Sequence, residues 1–264
     1  MAAPRRVLVV GACGRMGQRV RAVLAGEPTL RLAAALEAPG HPQLGVELAP
    51  GVPLLDDLKA ALAGCDVAID FSQAAASLSV LRAAAEARVA MVMGTTGISG
   101  DERAELALAA RRIPVLYAPN FSVSVNVMVW LVREAARRLG PGFDAEILEL
   151  HHAKKLDAPS GTALLLAEAI AQGRGHPVEG HLVLERAGQI GARPAGAIGV
   201  QSLRAGDSPG DHSVLFAGEG ERLELVHRSQ TRDHVARGAV RAAAWLAGRP
   251  AGLYRIEQVL GLDG

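Results

Sequence analysis

The chain has 264 residues, with 28 Lys and Arg against 27 Asp and Glu and a formal net charge of +1, so no overall basic field recruits nucleic acid. Half of the residues are hydrophobic but only 3% are aromatic, which suits α/β packing and leaves few rings for stacking bases. No apolar run approaches a membrane span, and Cys13 and Cys65 form neither a disulfide framework nor a Cys-x-x-Cys metal spacing, so the expectations are a reducing cytoplasm, no membrane and no bound metal.

The length is enough for two domains. Arg6 to Val10 (RVLVV) reads as a short β-branched strand. It runs into Gly11-Ala12-Cys13-Gly14-Arg15-Met16-Gly17 and then a helical segment to about Gly26. Strand, glycine turn and helix together are the context in which backbone amides and a helix N-terminus receive a pyrophosphate. A second strand, Leu30 to Leu36, ends at Glu37, 20 residues after Gly17, where an acid accepts hydrogen bonds from an adenosine ribose. The prolines and glycine at 39, 42, 50, 51 and 53 mark a surface loop. Val67 to Phe71 and Val89 to Met93 are near-continuous apolar runs, as central parallel strands covered on both faces require. Ala74 to Arg88 and Asp101 to Arg112 are the intervening helices. Gly94-Thr95-Thr96-Gly97 follows one strand, and Ala118-Pro119-Asn120-Phe121-Ser122 follows another, Pro114 to Tyr117. Such strand-end loops are candidate contacts to nicotinamide and its ribose.

Beyond Ser122 the texture changes. A long helix, Val125 to Leu139, leads to a strand at Ala145 to Leu150 that places Ile147, Glu149 and His151 on one face and Leu148, Leu150 and His152 on the other. Downstream, Ala163 to Ala171 is strongly helix-favouring and ends near Gly173. Ser160-Gly161-Thr162 therefore stands at a helix N-terminus, attractive to carboxylate or phosphate, unless Ser160 does no more than cap the helix. Four segments have strand character: Leu182–Leu184, Gly199–Leu203, Ser213–Phe216 and Arg222–His227. Without helices between them they imply a mixed or antiparallel sheet. Asp233 to Ala247 is helical and is expected to return to the first domain. The expected fold is α/β, with an N-terminal Rossmann-like parallel sheet and a C-terminal α+β domain. The dinucleotide-binding domain would comprise residues 1–122 and 232–264, and a substrate-binding and oligomerisation domain residues 123–231. His176, His181, His212, His227 and His234 form no metal-ligand pattern and are expected to be ordinary surface or partly buried residues, with Glu149 and Lys154 structural or solvated.

Six stretches carry a resemblance: GACGRMG at 11–17, GTTG at 94–97, APNFSVSVNVM at 118–128, ELHHAKKLDAPSGTA at 149–163, RAGD at 204–207 and GAVRAA at 238–243. With them the chain resembles the 4-hydroxy-tetrahydrodipicolinate reductase family of diaminopimelate and lysine biosynthesis, nearly end to end. The resemblance implies NADH or NADPH as cofactor, a cyclic dicarboxylate substrate and a homotetramer. It implies cofactor contacts at Gly11, Ala12, Cys13, Gly14, Arg15, Met16, Glu37, Gly94, Thr95, Thr96, Ala118, Pro119, Asn120 and Phe121. His151 would be the catalytic histidine and Lys155 the family's proton donor, with His152, Gly161 and Thr162 on substrate carboxylate; on chemistry alone either Lys155 or His151 can supply the proton, and the Lys155 ammonium is also an anion site. Ser160 joins them as a candidate from its place at the helix start. Ala38 stands where many relatives carry an arginine for the 2′-phosphate of NADPH, and Glu37 repels that phosphate, so NADH is favoured. The rival readings are another NAD(P)-dependent oxidoreductase, such as an amino-acid dehydrogenase, and a non-catalytic nucleotide-sensing protein of the same fold.

Overall fold

The computed structural model describes residues 3–262 apart from residue 96. The chain divides into two compact units, Met1–Val123 with Arg232–Gly264, and Ser124–Thr231. No helix among the described residues is long and apolar enough to cross a membrane.

In the first unit the order is β1 (Arg5–Val10), α1 (Arg15–Leu24), β2 (Leu30–Leu36), β3 (Glu47–Ala49), β4 (Val52–Leu55), α2 (Leu58–Leu62), β5 (Val67–Asp70), α3 (Ala74–Ala87), β6 (Ala90–Met93), α4 (Gly100–Ala110) and β7 (Pro114–Tyr117). The second unit contains α5 (Val123–Leu139, beginning at the boundary), β8 (Asp144–His151), α6 (Gly161–Arg174), β9 (Leu182–Val183), β10 (Ile198–Arg204), β11 (Asp211–Ala217) and β12 (Arg222–Arg228). The chain then returns to the first unit as α7 (Asp233–Leu246), β13 (Gly252–Tyr254) and α8 (Ile256–Leu260).

The first unit's sheet runs β13-β7-β6-β5-β1-β2-β4-β3. All its pairs are parallel except β3 with β4. Its apolar runs are continuous because both faces are covered. Val7 and Val9 pack with α1 and α7 in one cluster, while Leu8 and Val10 pack with residues of α2, α3 and α4 in another. Each buried valine or leucine there contributes about 1.5–3 kcal/mol. Strand order reverses at β1, which lies between β5 and β2; the carboxyl ends of strands at such a point form the crevice of a doubly wound sheet.

One expectation is corrected. The proline-rich stretch taken as a surface loop contains β3 and β4, and β4 pairs with β2 through Ala35–Leu54 and Leu36–Leu55. Val52 and Leu54 are buried while Pro53 between them is exposed. A two-residue alternation is too short to stand out among turn formers, and a proline is tolerated this close to a sheet edge.

The second unit has a five-stranded sheet, β12-β11-β8-β10-β9, in which β8 pairs in parallel with β10 and antiparallel with β11. One face packs on α5 and α6 through Ala145, Ile147, Val200, Val214 and Phe216. Along β8 burial alternates strictly, so Glu149 and His151 point the same way as Ile147.

Candidate functional site

Two constellations stand out, one in each unit. The first is the glycine turn after β1. Gly11 has φ +66° and its carbonyl accepts from Gly14 N–H at 3.0 Å. A Cβ on Gly17 would fall 2.1 Å from that same carbonyl oxygen, so close packing of α1 on the turn demands glycine there. Gly14 supplies no side-chain cap to α1, which leaves the first-turn amides for an anion. Ala12 is buried, Cys13 and Met16 are half-buried and Arg15 is exposed. Burial and the nearby Glu37 push the Cys13 thiol up, which keeps it protonated.

Glu37 has partners within the protein. Its Oε2 accepts Cys13 N–H at 2.9 Å and its Oε1 accepts Ala38 N–H at 3.3 Å, so the acid braces the turn. A cavity of about 600 Å³ opens here, lined among others by Gly11, Glu37, Ala38, Asp56 and Ser72. Asp56 and Ser72 were missed in the sequence. The signal for Ser72 is its place just past β5, next to the strand that carries the turn. Its hydroxyl is buried without a hydrogen-bond partner among the described residues, and its Cβ lies 3.9 Å from where a Gly11 side chain would begin. An orphaned hydroxyl beside glycine amides and a helix N-terminus fits a dinucleotide.

Of the other candidates in this unit, Gly94 packs on the Phe71 ring, and Thr95 is 2% exposed. Thr96 lies outside the described residues. Ala118 and Phe121 have buried side chains, and the Phe121 ring meets Phe71 edge-on at 5.9 Å; only their backbone is left for a ligand. Pro119 is exposed and Asn120 half-buried, with Asn120 Oδ1 accepting Ser122 N–H at 2.8 Å.

The second constellation is built on β8 and the start of α6. His151 is 8% exposed, and its Nδ1 is bonded to Glu149 Oε2. Because a carboxylate only accepts, the ring proton sits on Nδ1 and Nε2 carries the lone pair. The other Glu149 oxygen accepts Arg204 Nη2–H at 2.8 Å and Ser160 N–H at 3.2 Å. Ser160 Oγ caps α6 by accepting Ala163 N–H at 3.2 Å, and it lies 3.1 Å from His212 Nε2. His212 in turn meets the His151 ring edge-on, with centroids 5.3 Å apart. Gly210 completes the wall, since a Cβ there would lie 2.7 Å from His151 Nε2.

Of the two alternatives for Glu149, structural or solvated, the structure takes the first: it is completely buried at the centre of the network. One sequence expectation fails in this cluster. His212 is not an ordinary surface residue; it is 4% exposed against the candidate catalytic histidine. Its partner Ser160 is 52 positions away, a separation with no local pattern. Lys154 is exposed, as expected.

Lys155 holds Asp157 through both carboxylate oxygens, at 2.7 and 2.8 Å. His152 is half-buried just beyond β8 and its carbonyl accepts Lys155 N–H at 3.1 Å, which folds the lysine back over the strand end. Gly161 is exposed and Thr162 half-buried, at the first two positions of α6. An ammonium and a 14-residue helix N-terminus close together in sequence make two attachment points for anions.

Burial pushes the Glu149 carboxyl up, but hydrogen bonds from Arg204, Ser202 and His151 outweigh it and bring it down to about 2. Burial lowers His151 against the pull of Glu149, so in the free protein it is the neutral imidazole. His212 is lowered by burial and by His151 to about 4. The unfolded chain thus takes up a proton near pH 6.5 that folded His212 refuses until about pH 4. The stability due to His212 is present above pH 6.5 and is expected to be lost between pH 6.5 and 4, by about 3 kcal/mol. Chemical denaturation at pH 7.5 and 4.5 checks this: His212→Gln should lose less stability across that interval than the wild type.

The ligand atoms of Glu149, His151 and His212 lie within 4.8 Å of one another. Arg204 already supplies the positive charge against Glu149, so the group reads as a hydrogen-bonded network rather than a cation site. Cys13, Glu37 and His41 make a second such group, where two backbone amides occupy Glu37.

Two family descriptions cover the chain: Dihydrodipicolinate reductase, N-terminus, over residues 5–121, and Dihydrodipicolinate reductase, C-terminus, over residues 124–260. A 4-hydroxy-tetrahydrodipicolinate reductase of Anaeromyxobacter dehalogenans is 49% identical over 98% of both chains. One of Desulfotalea psychrophila is 48% identical over 98% of both. Among solved structures, dipicolinate-bound dihydrodipicolinate reductase from Paenisporosarcina sp. TG-14 matches with TM-score 0.79 and 28% identity, covering 96% of this chain and 97% of that one. With both halves matched in order, and with close relatives alike over their whole length, the chain belongs to the dihydrodipicolinate reductase family.

Proposed function

We propose that the protein reduces 4-hydroxy-tetrahydrodipicolinate to tetrahydrodipicolinate, in diaminopimelate and lysine biosynthesis, with NADH preferred over NADPH. The observation that carries this reading is the second unit's cluster, in which Lys155 and the α6 N-terminus offer two anion sites beside a clamped imidazole. A cyclic dicarboxylate needs two such sites, and the Paenisporosarcina relative is described with dipicolinate, a ring dicarboxylate. An amino-acid dehydrogenase or a nucleotide sensor of the same fold has no call on this arrangement.

The glycine turn, Glu37, Ser72 and the loops after β6 and β7 would hold a nicotinamide dinucleotide, whose chemistry when bound would be to supply a hydride that, with one proton, replaces the ring hydroxyl leaving as water. Gly161 and Thr162 at the start of α6, with His152, hold carboxylate, whereas Ser160, a sequence candidate for the same role, is buried with its N–H given to Glu149 and its hydroxyl capping the helix. The proton comes from Lys155. His151 is a poor donor because burial keeps it neutral and its one ring proton is committed to Glu149. Its Nε2 lone pair instead accepts from the substrate or from water.

Cofactor choice follows from charge at the cavity. Glu37 and Asp56 line it beside Ala38, so a 2′-phosphate would meet carboxylates and no guanidinium from position 38. Oxidation of NADH and NADPH at 340 nm, with the cyclic substrate formed in situ from pyruvate and aspartate semialdehyde, tests both parts. Turnover faster with NADH is expected; folded protein that binds NADH but turns over neither would overturn the reading. Ala38→Arg should raise the NADPH-to-NADH ratio of kcat/KM about tenfold, the worth of one charge-assisted hydrogen bond.

A homotetramer fits the second unit. Leu148, Leu203 and Val226 are exposed on the sheet face opposite α5 and α6, an apolar surface that self-association would cover; light scattering measures it. Free Cys13 and Cys65 suit a reducing cytoplasm.

A further inference from the structure

β5 ends at Asp70, a completely buried carboxylate outside the chemistry described so far. Burying such a group costs several kcal/mol unless donors meet its oxygens. Oδ1 accepts the backbone N–H of Ser72 at 2.7 Å, and Oδ2 accepts the hydroxyl of Ser77 at 2.5 Å, the short length of a charge-assisted bond. Ser77 is fully buried near the start of α3. It accepts in turn from the hydroxyl of Thr95 at 3.0 Å. A parallel tie runs through the main chain, where the Asp70 carbonyl accepts Gly94 N–H at 2.8 Å.

We infer that Asp70, Ser77 and Thr95 form a positioning relay that holds Gly94 and Thr95, just past β6, in the arrangement that receives the dinucleotide. The relay has one direction. A carboxylate only accepts, so Ser77 must give its proton to Asp70, and its lone pairs are then left for the proton of Thr95. Burial leaves little room for water to substitute for a missing member. This segment is also pinned from its other neighbour: a Cβ on Gly94 would fall 2.2 Å from the Phe71 ring. Asp70 thus ties together the turn at Ser72, which lines the cofactor cavity, and the Gly94–Thr95 segment. Holding both before the ligand arrives removes part of the ordering cost of binding.

The relay rests on the reading that these loops touch a nicotinamide dinucleotide, and the experiment separates the two. The dissociation constant of NADH is measured directly by fluorescence, and KM for NADH and for the cyclic substrate by turnover, in the wild type, Thr95→Val and Thr95→Ser. Valine is nearly the shape of threonine and leaves the Asp70–Ser77 bond in place. Thr95→Val is expected to weaken NADH binding about tenfold and raise its KM in step, with substrate KM changed less than twofold. Thr95→Ser, which keeps the hydroxyl, should bind NADH several-fold more tightly than Thr95→Val. Wild-type protein that does not bind NADH would overturn the functional reading itself. Wild-type binding with Thr95→Val within twofold of it, or Thr95→Ser no better than Thr95→Val, or a parallel rise in substrate KM, would overturn the relay alone.

Discussion

Replacing Lys155 by methionine is expected to lower kcat by about 10³-fold while the dissociation constant of NADH stays within twofold. General acid catalysis by a positioned group contributes about 10²–10⁴-fold, and methionine keeps most of the aliphatic stem without the ammonium. Folding stability should hardly move. The Lys155–Asp157 pair involves a carboxylate whose side chain is 64% exposed, and exposed pairs are worth about 0–1 kcal/mol. The discriminating measurement is single-turnover reduction across pH. If His151 were the donor instead, Lys155→Met would retain most of the chemical step and lose mainly substrate affinity.

Glu149→Gln should act on stability and on activity together. The carboxylate serves Arg204, the Ser160 amide, the Ser202 side chain and His151 Nδ1 at once. An amide can face Arg204 or His151 with its oxygen but not both, and it leaves a largely buried guanidinium without its counter-charge. Breaking such a pair costs about 3–5 kcal/mol. His151 also loses the acceptor that sets its tautomer, so kcat should fall by at least about 10²-fold, as misplacing a catalytic imidazole does. The acid limb offers an independent check. Glu149 titrates at about 2 in the folded protein against an ordinary value of 4.5. Its contribution is therefore complete above pH 4.5 and is lost as pH falls towards 2, by about 3 kcal/mol in all. Denaturant midpoints at pH 5 and pH 3 should differ less for the variant than for the wild type. Equal pH dependence of the two proteins would show that Glu149 is not the group responsible. This window is centred below that of His212 and overlaps it only near pH 4–4.5, so the two residues are separable in one titration series.

The difference in visibility between these two residues is instructive. Lys155 stands in a segment whose neighbours announce it: a strand before, a helix start after, and charge between. Glu149 stands on the same strand as His151, on the same face, and the alternation along β8 placed it correctly there. What alternation could not tell was that this face is covered, because a buried carboxylate is rare unless paired and its partner Arg204 comes from β10, 55 positions away. His212 was hidden for the same reason, arriving from β11 beside β8. The β3–β4 pair was hidden for a different one, since turn-forming residues outweighed a two-residue alternation.

By itself the sequence determined the continuous apolar strands, the glycine turn with its helix, the strand carrying His151 and the helix start at Ser160. These features rest on periodicity and turn chemistry, which act over a few residues and are written into neighbouring letters. The tertiary structure alone decided which polar groups are dry and what they bond to, Glu149 to Arg204, Ser160 to His212 and Asp70 to Ser77, and that Asp56 lines the cavity at the glycine turn. A hydrogen bond in a dry interior is set by which strands become neighbours, and strand order is a property of the whole sheet rather than of any segment in it.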